Sequence, residues 1–180
     1  PVALVMARKS ASVITLARFT EAFLVLRGQQ LGLPMAWVPA VILVMSLVYA
    51  ASAYPVGLAA RYWSRRTLLA TGLAVLIGAD LVLATADGIV LVLAGAALWG
   101  LHMGLTQGLL AALVADAAPP ERTGTAFGVF HLATGVFLLL ASALAGLVWD
   151  RYGAPATFFT GAAVSAVAVA GLLLSHRRFG

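Results

Sequence analysis

The sequence contains no cysteine, and only 9% of its 180 residues are charged. The first absence excludes disulfides, thiolate metal sites and cysteine nucleophiles. The second argues against a water-soluble domain, which at this size would have too little charge to coat its surface. Other signatures are missing as well. There is no His-Glu-x-x-His metal motif, no Gly-x-Ser-x-Gly nucleophile turn and no glycine-rich phosphate loop. His102, His131 and Asp80 show no metal-ligand spacing. The chain is therefore expected to be no enzyme, to hold no metal or cofactor, and to take no energy from nucleotide hydrolysis. A net charge of +5 does not indicate nucleic acid, because the basic residues sit at the ends of apolar runs rather than along a surface.

What is present is apolar. Hydrophobic residues make up 63% of the chain and the mean hydropathy is +1.05. A helix needs roughly 20 apolar residues to cross a bilayer. Runs of that kind fall at about 12–31, 36–60, 67–86, 89–112, 125–148 and 156–174. Turn chemistry separates them: Gly32-Leu33-Pro34, the basic segment Arg61 to Arg66, Asp87-Gly88, Pro119-Pro120-Glu121 and Gly153-Ala154-Pro155. The expected fold class is all-α, a polytopic membrane protein whose residues 1–180 form a single six-helix transmembrane domain. The bilayer is its first partner.

Basic residues set the expected orientation. Arg8, Lys9, Arg61, Arg65, Arg66, Arg122, Arg177 and Arg178 share the face of both termini, whereas Arg27 and Arg151 lie near the other. By the positive-inside rule both termini are expected in the cytoplasm, in an integral plasma membrane protein. Two helix ends also match. Gly57-Leu58-Ala59-Ala60-Arg61-Tyr62-Trp63-Ser64 and Gly146-Leu147-Val148-Trp149-Asp150-Arg151-Tyr152-Gly153 are spaced by almost half the chain. Units of three helices would make the second copy inverted, a three-plus-three arrangement used by secondary transporters around a midplane site.

Polar groups inside the runs ask for a partner or a purpose, since a charge at mid-bilayer costs about 2.5–3.5 kcal/mol on insertion scales. Thr15, Arg18, Glu21, Ala22, Val25 and Gln29 share one face of the first helix. Arg18 and Glu21 can pair at i, i+3, either as a substrate or proton site or as a neutralised link inside the bundle. In the fourth helix Ala96, Gly100, Gly104, Gly108 and Ala112 form a small-residue ridge for close helix packing. Leu98, Leu101, Leu105 and Leu109 occupy an arc expected to face lipid. Trp99, His102, Met103, Thr106 and Gln107 form a third arc, expected to line a cavity for a partly apolar ligand, with bundle packing as the other reading. In the fifth helix Gly128, His131, Thr134, Gly135, Ser142 and Gly146 share a face. His131 is read as a hydrated group near the cytoplasmic end or as a proton carrier. Asp80 is expected to pair with Arg27, at a similar depth, in preference to coupling protons. Asp116, Arg65, Arg66 and Arg122 make either a gate of ion pairs or a solvated charge cluster.

Pro55-x-Gly57-x-x-x-Arg61-x-Trp63-Ser64-Arg65-Arg66 resembles the loop signature Gly-x-x-x-Asp-Arg-x-Gly-Arg-Arg of the major facilitator superfamily, which lies between the second and third helices of each six-helix half. The segment Pro120-Glu121-Arg122-Thr123-Gly124-Thr125-Ala126-Phe127-Gly128 similarly resembles that family's loop into helix eleven. The family's acidic position is Arg61 here and the following Arg is Tyr62, so the charge relay attached to that Asp does not carry over. The resemblance implies the carboxy-terminal half of a twelve-helix transporter whose amino-terminal half is absent from this chain; the initial Pro1 in place of Met fits a fragment. It implies alternating access around a central site, with the first, second, fourth and fifth helices lining the cavity and the third and sixth supporting them. The Trp99 arc leans toward efflux of amphipathic small molecules, with protons as a candidate coupling ion. Uptake of a small metabolite, or a structural or sensor role without transport, is the alternative.

Overall fold

In a computed structural model the described residues are 21–174, and all regular structure among them is helical. The helices are α1 (Ala22–Gln30), α2 (Val38–Ala59), α3 (Arg65–Ala84), α4 (Ile89–Ala117) and α5 (Thr123–Leu174). Single 3-10 turns, Met35–Trp37 and Pro120–Arg122, lead into α2 and α5. Among the described residues four stretches are long and apolar enough to cross a membrane: Met35–Ala59, Arg65–Ala84, Ile89–Ala117 and Pro120–Leu174. The first expected helix, 12–31, is described only from α1 onward; the remainder, with Arg18, lies outside the described residues.

Local chemistry sets the borders. The chain leaves α1 through Gly32, whose φ of 89° is a left-handed position that glycine takes without a Cβ clash. Ser64 caps α3 by accepting the Thr67 N–H at 3.1 Å. Pro119 and Pro120 end α4, which runs to Ala117 rather than stopping at 112 as expected. A straight α5 of 52 residues would be about 78 Å long, more than twice the bilayer's hydrocarbon core. It breaks at Gly153, where φ is 83° and ψ 174°, into legs of 123–152 and 154–174. Pro155 stands just after the break, where its missing N–H costs the new helix nothing.

The two legs run back alongside each other. At one end of the bundle Arg65 meets Asp116 and Arg66 donates to the carbonyls of Leu172 and Leu173. At the opposite end Trp149 and Phe158, on either side of the break, stack edge to face with centroids 6.2 Å apart, and Phe23 of α1 lies 5.4 Å from Trp149. The loop after α2 and the Gly153 break, which carry the two matching helix ends, thus sit at opposite ends of the bundle.

Helix α4 is the centre. It packs against α2 on one side and α3 on the other, while α3 in turn packs against α5. Both faces of α4 depend on missing side chains. A Cβ at Gly100 would collide with the Met45 carbonyl, and one at Gly104 with Ser52, so α2 rests directly on the glycine ridge. Gly108 has nothing within 4 Å and is exposed, so the close approach seen at Gly100 and Gly104 does not extend to it. On the α3 side Leu83 fills the space above Gly95, and Thr106 and Leu105 fill that above Gly72. The leucine arc is corrected by the same packing. Leu105 and Leu109 are buried and Leu98 and Leu101 lie against the core, so this arc does not face lipid.

Candidate functional site

The third arc of α4 is covered by α3. Trp99 is 1% exposed, and His102 and Thr106 are 0% exposed. A ring nitrogen of His102 (Nδ1) is 2.8 Å from the Gly72 carbonyl oxygen, and the Thr106 hydroxyl donates to the His102 carbonyl of its own helix at 2.9 Å. Met103 is buried and Gln107 half-buried. The expectation that Trp99, His102 and Thr106 line a cavity is therefore corrected: the glycine at position 72 lets α3 close over them, and the His102 ring ties α4 to α3 through the Gly72 carbonyl. In a membrane such hydrogen bonds help hold helices that no hydrophobic drive brings together.

The open side of the bundle lies elsewhere. On the first leg of α5, His131 is exposed and Thr134 half-buried. The His131 imidazole stacks on Phe127 at 6.2 Å and meets the edge of Phe130 at 5.4 Å. Leu132, Leu139, Leu144 and Leu147 on the same leg are all exposed. Helix α2 presents Ser46, Leu47 and Tyr54 in the same way. Tyr54 and the two phenylalanines were not singled out by sequence pattern. The signal lies in their neighbours: Tyr54 directly precedes the helix-interior Pro55, and the phenylalanines stand four and one residues before His131. Glu21, at the start of the described chain, is half-buried just before α1.

Arg27 and Asp80 do not pair. The Arg27 Nε donates to the Leu83 carbonyl at 3.1 Å and its Nη2 to the Ala86 carbonyl at 2.7 Å, closing the C-terminal end of α3. The Leu83 carbonyl, in the last turn of α3, lies at the negative end of the helix dipole, and the Ala86 carbonyl belongs to the loop that follows. They satisfy the guanidinium at the expense of the carboxylate. Asp80 is 0% exposed, and neither carboxyl oxygen has a hydrogen-bond partner.

The gate residues separate into two groups. Arg65 Nη1 lies 2.5 Å from Asp116 Oδ2, linking the start of α3 to the end of α4, with both side chains about half exposed. Arg66 Nη2 donates to the Leu173 carbonyl at 2.7 Å and to that of Leu172, tying the start of α3 to the end of α5. These links span three helices at one end of the bundle. Arg61 and Arg122 stand exposed, and Gly57 is exposed with nothing within 4 Å of where a Cβ would be.

A helical bundle of spans long and apolar enough to cross a membrane, with most of its charge at the helix ends, marks an integral membrane protein. Residues 10–179 match the family model of the Major Facilitator Superfamily, and the chain belongs to that superfamily of transporters. Among solved structures it is similar to one titled an auto-inhibited POT family peptide transporter, with a TM-score of 0.70 and 18% sequence identity. That match covers 100% of this chain and 38% of the other, so the chain spans well under half the length of that transporter. No curated protein matches the chain.

Proposed function

We propose that the chain is the carboxy-terminal, six-helix half of a secondary transporter, built as two inverted three-helix units, which moves a small organic solute by alternating access. Both termini lie in the cytoplasm in this reading, following the basic residues, and the membrane is the plasma membrane. The observation that carries it is the asymmetry of the bundle: α3 and the second leg of α5 bury a continuous face, whereas α2 and the first leg of α5 turn an apolar face inlaid with His131, Thr134, Ser46 and Tyr54 away from it. A face of that composition fits a wet pathway closed by a second, amino-terminal half. The solute path runs along it, with Arg18 and Glu21 supplying charge for solute or proton. The Arg65–Asp116 pair and the Arg66 contacts form the cytoplasmic gate, which must break for the site to open inward. The exposed aromatic and leucine side chains support an amphipathic solute, exported against a proton gradient.

Transport of an amphipathic cationic dye by the complete two-half protein in proteoliposomes carrying an imposed pH gradient tests this directly. Gradient-dependent dye movement that falls at least tenfold in Glu21→Gln supports the reading. Movement independent of the gradient, or unchanged in Glu21→Gln, contradicts the coupling; solute accumulation with the opposite sign would mark an uptake permease instead.

A further inference from the structure

Asp80 is the one acidic side chain that α3 carries, and it sits where an ionised carboxylate has no support. The Gly95–Leu83 and Gly72–Thr106 contacts run α3 and α4 antiparallel and place Asp80 level with Leu98 and Trp99. On its own helix Leu76 and Leu83, one turn away on either side, are both 0% exposed. The charged and titratable groups on every element packed around it are few. Helix α1 offers Arg27, with Glu21 just before it; α4 offers His102, held to Gly72 two turns farther along, and Asp116 at its far end. The second leg of α5 has no ionisable residue, and Asp150 and Arg151 before the break are exposed. Among the described residues, only Arg27 is both cationic and close in height, since its two partners, Leu83 and Ala86, begin one turn beyond Asp80.

A carboxyl group without any donor in such a place is tolerable when it carries a proton and costly when it does not. Capping the end of α3 accounts for Arg27 but leaves Asp80 unexplained. We propose that Asp80 is a proton-binding site and that Arg27 is its alternate counter-ion. With the proton on Asp80, the guanidinium rests on the carbonyls of Leu83 and Ala86, as observed. When the O–H bond breaks, the proton passes to water at the Arg27 end, one negative charge remains on the carboxylate, and the guanidinium turns about 5 Å along α3 to meet it. The arginine keeps its charge throughout, so the site loses one positive charge for each proton released. The same arginine then holds α1 to α3 through carbonyls in one state and through an ion pair in the other. This concerns protonation of the chain itself and holds whatever solute is moved.

Infrared difference spectroscopy of the protein in lipid nanodiscs, between mildly acid and mildly alkaline buffer, tests the assignment. A protonated-carboxyl stretch that titrates reversibly in the parent and disappears in Asp80→Asn is expected. In Arg27→Gln the band should persist to a proton concentration at least tenfold lower, because the ionised form has lost its counter-ion. Should Asp80→Asn fail to fold, Asp80→Glu must move the band in frequency. No band dependent on position 80, or a titration unaltered by Arg27→Gln, would overturn the proposal. Loss of transport with the band intact would count against the transport reading and leave this one standing.

Discussion

Helix α3 and the first leg of α5 are similarly apolar, yet α3 buries Leu68, Leu69, Leu73, Leu76 and Leu83 whereas that leg leaves Leu132, Leu139, Leu144 and Leu147 exposed. The pair α4 and α2 repeats the contrast: α4 buries residues along its whole length from Val92 to Val114, whereas α2 buries only Val41 and Met45. Apolarity therefore says that a segment lives in a membrane and nothing about what touches it. What separates the buried helices is relief: Gly72, Gly95, Gly100 and Gly104 remove side chains where neighbours must enter. In lipid, where leucine is no better off inside the bundle than outside it, close packing of this kind supplies the association energy. The glycines of the first α5 leg, Gly124, Gly128, Gly135 and Gly146, face open space within this bundle.

The strongest way to break the contrast is to fill a glycine on each side. Gly100→Leu should abolish the folded bundle, because its side chain meets the Met45 backbone, which cannot rotate away. Gly108→Leu, two turns farther on the same ridge, should leave the yield of monodisperse protein on size-exclusion chromatography almost unchanged. A smaller effect is expected from truncation. Leu73→Ala, at a fully buried site, should cost about 2 kcal/mol or more in thermal or denaturant unfolding, through the cavity it leaves. Leu139→Ala, on the exposed leg, should cost under about 0.5 kcal/mol within this half. At the capped end, Ser64→Ala should remove about 1 kcal/mol by freeing the Thr67 N–H. The smallest effect belongs to Arg65→Ala and Asp116→Ala: as a half-exposed pair they should show a coupling of at most about 1 kcal/mol in a double-mutant cycle, shrinking with added salt.

The sequence made the spans legible because every break carries its own chemistry. Gly32, Ser64, Pro119 and Gly153 all stand where their local preferences place them. The close approach at Gly100 and Gly104 was legible too, since a four-residue repeat of small side chains marks one face. Gly72 and Gly95 were not, because each is a lone glycine whose meaning depends on a side chain from another helix. The Trp99 arc shows the same limit. Periodicity correctly groups Trp99, His102 and Thr106 on one face, but only the partner helix decides that the face is closed. Arg27 was matched to Asp80 on depth alone, a measure that ignores the backbone carbonyls competing for the guanidinium. The exposed placement of His131 and the half-buried Thr134 gives the expected fifth-helix face a side of the bundle on which a pathway can run.

The absence of cysteine makes the sealed and open sides directly measurable, since any cysteine introduced into this segment is its only thiol. Single cysteines at His131 and Thr134 on the open leg, and at Thr106 and Ser165 in buried positions, can be challenged with a small water-soluble maleimide in proteoliposomes. Rapid labelling at 131 and 134 that slows when solute is added, with none at 106 and 165, is the predicted result. Labelling at 106 or 165 with protection at 131 and 134 would contradict the account.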